Sequence, residues 1–162
     1  MAIAEDLLAL AGRLANPARD EPEQASFRRA ISTAYYALFH LLVQEAVQIL
    51  SRSTSAQLAL ERRFEHRVMK DVSLAVAQGS WKGWTTPTIP IPAELRSVAA
   101  ALVNLQRVLH QADYDNAELW GSSDVHAVVA DTHEAFDNWA KIRTHPAANE
   151  YLLSLLIGNK RE

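Results

Sequence analysis

The sequence predicts an all-α protein: an antiparallel up-and-down bundle of four to five helices with a short further helix near the C-terminal end. Three observations lead there. Apolar residues recur at helical spacing along most of the 162 residues, no convincing alternation of period two is found, and proline, glycine and serine punctuate the chain at helix-length intervals. At 49% hydrophobic and 22% charged residues the composition is that of an ordinary globular protein. A chain of this length buries roughly 70% of its unfolded surface, so one domain over residues 1–162 is expected, with its core at about 23–143.

The first helix is expected from about Ile3 to Ala15, with Leu7, Leu8, Ala11 and Leu14 inward, and Asn16-Pro17 ends it. Pro22 restarts the chain at the head of a long helix, about Glu23 to Leu50. Phe27, Ile31, Ala34, Leu38, Leu41, Leu42 and Ile49 share one side of it, while Phe39 and Val43 lie away from that stripe, which makes this helix central. Ser53 or Ser55 caps a third helix running to about Gln78, with Leu58, Phe64, Val68, Met69, Val72 and Val76 inward and Gly79 as its stop.

The segment GSWKGWTTPTIPIP, Gly79 to Pro92, holds two glycines, three prolines and two tryptophans and is expected as a long, partly stiff loop. Pro92 opens a fourth helix to about Ala112, with Leu95, Val98, Leu102, Leu105 and Leu109 inward. Asp113-Tyr114-Asp115-Asn116 follows as a polar corner. Ser122 or Ser123 caps a fifth helix to about Arg143 that buries Val125, Val128, Val129, Phe136 and Trp139, and Pro146 starts the short sixth.

Several function classes lose ground on composition. The absence of cysteine removes disulfides, zinc thiolates and thiol nucleophiles, and agrees with a reducing cytoplasm. Glu5 and Asp6 stand where a signal peptide carries positive charge, and no apolar run is long enough to span a bilayer, so neither export nor a membrane association is expected. A net charge of −3 confines any nucleic-acid contact to a local basic face. No Glu-x-x-His, His-Glu-x-x-His, P-loop or Gly-rich dinucleotide turn occurs, so neither a metal site nor a cofactor is expected. His126 and His133 share a helical flank with Asp137, but seven residues separate the two rings by about 10 Å, which suits surface histidines better than one metal ion.

Phe27-Arg28-Arg29-Ala30-Ile31-Ser32-Thr33-Ala34-Tyr35-Tyr36-Ala37-Leu38-Phe39-His40 resembles the helix-two signature of HEPN domains, which often read Arg-Arg-Ala-x-Ser-x-Ala-Tyr-Tyr-Ala-x-Phe-His. Ala112-Asp113-Tyr114-Asp115 resembles the Ala-Asp-Tyr-Asp motif that follows a later helix in the same group. The resemblance spans roughly Phe27 to Arg143. It implies a bundle that commonly forms a homodimer, often in nucleotidyltransferase-linked, toxin-antitoxin or RNA-cleaving systems, with RNA, a nucleotide or an encoded neighbour protein as partner. Catalytic HEPN ribonucleases carry an arginine and, after four to six intervening residues, a histidine. None of the six histidines here has an arginine at that distance: Arg62-x3-His66 and Arg107-x2-His110 are too short. Whether the chain is an enzyme therefore stays open at this point, and no catalytic residue is assigned.

Three constellations carry chemistry. Arg29, Thr33, Tyr36 and His40 project within about 60° of one another on the second helix, as an anion site or as a hydrogen-bonded seam between helices or subunits. Gln106, His110 and Asp113 fall on or beside the inner face of the fourth helix. Asp113 there can hold a histidine tautomer or pair with Arg29, and with Tyr114 and Asp115 it can equally form a structural corner. Arg63, His66, Arg67 and Lys70 make the best basic patch for phosphates, or a solvated face. If RNA is cleaved, His40, His110 and Tyr114, with Arg29 stabilising charge, are the residues to meet near a dimer axis. Trp81 and Trp84 can stack on bases, anchor a partner or fold back on the bundle. A purely structural subunit is the remaining alternative.

Overall fold

A computed structural model describes residues 2–81 and 88–158 of the chain, which hold seven α-helices and no strand. They are α1 (Ala2–Leu14), α2 (Glu23–Leu50), α3 (Thr54–Glu61), α4 (His66–Ala77), α5 (Ala93–Tyr114), α6 (Ser122–Ile142) and α7 (Pro146–Ile157). None of the described helices is long and apolar enough to cross a membrane.

Proline at positions 22 and 92 serves as the N-cap of α2 and of α5, where its fixed φ and missing N–H cost the helix nothing. α2 is the hub, packing against α1, α3, α5, α6 and α7. That environment explains why Val43 is buried although it lies off the main stripe, and why Ile49, on the stripe, is exposed at the overhanging end. The buried cluster also extends beyond residues 23–143. Ala4, Leu8 and Ala11 of α1 and Tyr151, Leu152 and Leu155 of α7 are buried in it, so both terminal helices contribute to the core.

The single third helix is corrected to two. Stepped along one straight helix, Phe64 and Met69 would point about 140° apart, so both cannot face one core. The turn at Arg62–Glu65, with Arg63 N–H donating to Leu60 O and Phe64 N–H to Glu61 O, lets Phe64 swing in while Met69 stays fully buried. α3 buries no residue and its Leu58 is exposed. Ser53 is its N-cap, accepting from the Ala56 N–H at 3.4 Å. At α6 the cap is Gly121 rather than a serine, and Ser122 is already helical.

α5 runs through Tyr114, so Asp113 and Tyr114 stand on its last turn and the corner begins at Asp115. Arg28 clamps that corner: its guanidinium donates to Ala112 O, to Glu118 O at 2.7 Å and to Asp115 O at 3.1 Å. One turn earlier the Gln24 amide exchanges two bonds with the backbone of Trp120, both at 2.9 Å. The two motif segments of α2 and α5 are thus tied together through carbonyls left free by the end of a helix.

Candidate functional site

Between α2, α4 and α5 lies a cleft of about 220 Å³. Tyr35 and Tyr36 enter it from α2, His66 from the first turn of α4, and Gln106, Leu109, His110, Asp113 and Tyr114 from the outer half of α5. Helical spacing explains the α5 set, since Gln106, His110, Asp113 and Tyr114 recur every three or four residues and so share a face.

The floor is an aromatic and imidazole stack. His66 lies on Phe39 with ring centres 4.4 Å apart, and the Tyr36 ring meets His66 edge-on at 6.0 Å. His40 sits edge-on to Phe39 at 5.5 Å and 6.4 Å from Tyr36. Burial pushes the Tyr35 phenol well above its ordinary range, with the neighbouring Tyr36 adding to the effect. It therefore stays protonated and shares a hydrogen bond with His66 Nδ1 at 2.6 Å, in a direction that the imidazole tautomer sets. Burial also lowers the His66 pKa below its ordinary value, and the nearby His40 acts in the same direction. In the tautomer that accepts at Nδ1, the neutral ring carries its proton on Nε2. His40 is lowered by burial as well, against a smaller opposing effect of Glu61.

At the mouth, His110 and Tyr114 pack with ring centres 4.6 Å apart, and Tyr114 is 75% exposed. The Gln106 Nε2–H donates weakly to His66 O at 3.5 Å, while Gln106 Oε1 is buried and accepts no hydrogen bond. Asp113 is exposed and, among the described residues, bonds to no other side chain or backbone group.

The structure redistributes the residues singled out in the sequence. Tyr36, Gln106, His110, Asp113 and Tyr114 come together. Arg29 is exposed outside the cleft lining, Thr33 is buried elsewhere on α2, and His40 supports Tyr36 without lining the cleft. The expected Asp113 partnerships, to a histidine or to Arg29, are corrected: neither forms among the described residues. His110 and Asp113 are both exposed and only Gln106 is half-buried, because this face of α5 turns away from the core that Val108 and Ala112 enter from the same turns. Asp115 points away, its Oδ1 accepting from the Ala117 N–H at 3.1 Å. His66, exposed like Arg63, Arg67 and Lys70, differs from them in lining the cleft. Trp81 folds back, donating from Nε1 to Ile89 O at 2.8 Å; Trp84 lies outside the described residues.

Tyr35 and Arg28 were not singled out. Tyr35 sits on the buried side of α2 and reads as core, and Arg28 is recognisable only once its three carbonyl partners converge. His126 is engaged too. The Asn16 amide donates to Gly12 O at 2.9 Å, so its Oδ1 accepts from His126 Nε2–H at 2.8 Å, and His126 Nδ1 accepts from Ser122 Oγ–H at 3.1 Å. This chain ties α6 to the end of α1. It borders a wider hollow of about 420 Å³ whose lining includes Arg19, Glu21 and Glu23. Among the described residues no group of three or more His, Asp or Glu is placed to hold a metal ion. Comparison with protein-family models, curated proteins and solved structures finds no match to this chain.

Proposed function

We propose that the chain is a HEPN-like antiparallel bundle acting as a binding module for RNA or a nucleotide, with the base seated in the cleft between α2, α4 and α5. The observation that carries this reading is the convergence of Tyr36, His66, His110 and Tyr114 around a cleft of about 220 Å³. Flat π-faces with few fixed charges suit a heteroaromatic ring, and a volume below the roughly 300 Å³ of drug-sized pockets suits one ring system. Arg63 and Arg67, exposed and close to His66 in sequence, are cations that phosphates leaving the cleft can meet.

Fluorescence anisotropy with a short single-stranded RNA of mixed sequence tests the reading. Stacking on one aromatic ring is worth about 1–3 kcal/mol, so Tyr36→Ala or Tyr114→Ala should weaken binding by roughly 5- to 150-fold. Absence of binding, or binding indifferent to both changes, refutes it. Homodimerisation, which the HEPN resemblance implies, is tested by light scattering.

A second reading, ribonuclease action, is favoured by one observation: His66 and His110 line the same cleft. The pair has the general acid and base that attack by a 2′-hydroxyl needs, but no arginine or lysine lines the cleft to stabilise the pentavalent phosphate. Binding therefore leads. Metal-independent RNA cleavage abolished by His66→Ala or by His110→Ala would reverse the order.

A further inference from the structure

Resting on the base-binding reading, we infer that the cleft selects guanine, through the Asp113 carboxylate at its rim. The hydrogen-bonding groups left unengaged decide this. Of the acceptors lining the cleft, His66 Nδ1 is taken by Tyr35, whereas Gln106 Oε1 is buried without a donor and the Asp113 carboxylate has no partner among the described residues. Gln106 Oε1 is shut off from solvent, so the exposed Asp113 carboxylate is the fixed acceptor a ligand can reach, and a ligand that brings paired N–H groups to it gains where one that sets a lone pair against it loses.

The four bases differ in this respect. Guanine presents two adjacent donors, N1–H and N2–H2, which one carboxylate accepts together. Adenine and cytosine each place a ring-nitrogen acceptor beside their amino group, and uracil flanks its single N–H with two carbonyls. Against a carboxylate each of these makes one bond and sets a lone pair near an anion. Guanine O6, on the same edge, needs a donor, and the Tyr36 and Tyr114 hydroxyls line the cleft, with the His66 Nε2–H beside them in the tautomer that accepts from Tyr35. Among the described residues no arginine or lysine lines the cleft to compete for Asp113, and the sugar and phosphate belong outside.

NMR titration of the full chain with GMP, AMP, CMP, UMP and choline tests the inference, because choline probes the other donor-rich or cationic ligand an aromatic cleft can take. GMP is expected to bind at least about tenfold more tightly than the other three nucleotides, the discrimination typical of one bidentate contact. Asp113→Asn should bring GMP down to their level. The exposed, unpartnered position of Asp113 predicts an unchanged melting temperature for this variant. Equal affinity for all four nucleotides overturns guanine selection and leaves base binding standing. A GMP preference that survives Asp113→Asn overturns the role of Asp113, and tighter binding of AMP, CMP, UMP or choline overturns the assignment of guanine. If no nucleotide binds, the base-binding reading fails and guanine selection fails with it.

Discussion

Replacing Arg28 by alanine removes a fork that holds three backbone carbonyls at once, two of them partly buried, at Ala112 and Glu118, and one exposed, at Asp115. Hydrogen bonds from a charged donor contribute about 1.5–3 kcal/mol each when shielded, and little where water can take over. Water replaces the Asp115 contact readily. The two shielded contacts share one side chain and do not add fully, which puts the loss for Arg28→Ala at about 2–4 kcal/mol. For a domain of this size that corresponds to a melting temperature lower by roughly 4–16 °C. Arg28→Lys should recover no more than about half, because an ammonium cannot span three carbonyls as a planar fork does. Urea unfolding followed by circular dichroism measures both variants. A loss below about 0.5 kcal/mol for Arg28→Ala would place it among ordinary surface changes and refute the clamp. Full recovery by lysine would show that charge, not the fork, matters.

Three further outcomes follow from buried polar contacts, pKa shifts and backbone strain. His40 and His66 are held below the ordinary imidazole value of 6.5 in the folded chain, so the unfolded chain takes up protons at higher pH. Their contribution is therefore fully present above 6.5 and is lost as pH falls through the lowered folded values. Urea midpoints should decline over that range, and the decline should flatten in a His40→Gln/His66→Gln variant; an unchanged slope would contradict the burial of the two rings. In the core, the hydroxyls of Ser73 and Tyr151 bond each other at 2.7 Å. Tyr151→Phe should cost about 1–3 kcal/mol by leaving Ser73 unpaired, and adding Ser73→Ala should restore part of it, read in a thermal double-mutant cycle. At the end of α7, Gly158 has φ 77°, and a Cβ there would stand 2.8 Å from Val68 Cγ1. Gly158→Ala should cost about 1–3 kcal/mol, and Val68→Ala in the same chain should relieve the clash without relieving the backbone strain.

Helix positions were legible where caps and periodicity agreed. Pro22 and Pro92 open α2 and α5 as expected, and the apolar stripes of α5 and α6 are buried except at Leu109 and Phe136, which are half-buried. The break between α3 and α4 was not legible, because no proline or glycine marks it. Phe64 alone departs from the inward stripe, and only packing against the core makes that departure decisive. The cleft was half legible. Spacing along α5 groups Gln106, His110 and Asp113 on one face, but spacing along α2 gives a polar line whose members part company: Tyr36 reaches the cleft, whereas Arg29 does not. His66 was grouped with the basic patch by charge, and its place in the cleft shows only once α4 packs beside α2 and α5.

The clamp and the cleft occupy the same few turns of α5, and that coincidence constrains how the site can change. His110, Asp113 and Tyr114 stand on the outward face of the last two turns and are exposed, while Val108 and Ala112 on the opposite face are buried in the core. A helix end of this kind frays unless its carbonyls find donors, and Arg28 supplies them from the helix that also carries Tyr35 and Tyr36. One side chain therefore sets the distance between the two walls of the cleft. Loss of Arg28 should weaken ligand binding even in molecules that remain folded, whereas Gly158→Ala, at the far end of α7 and outside the cleft lining, should lower stability and leave the affinity of the folded fraction unchanged. Binding measured well below both melting temperatures separates the two cases, and equal affinity in the two variants would mean that the α5 end holds its place without the clamp.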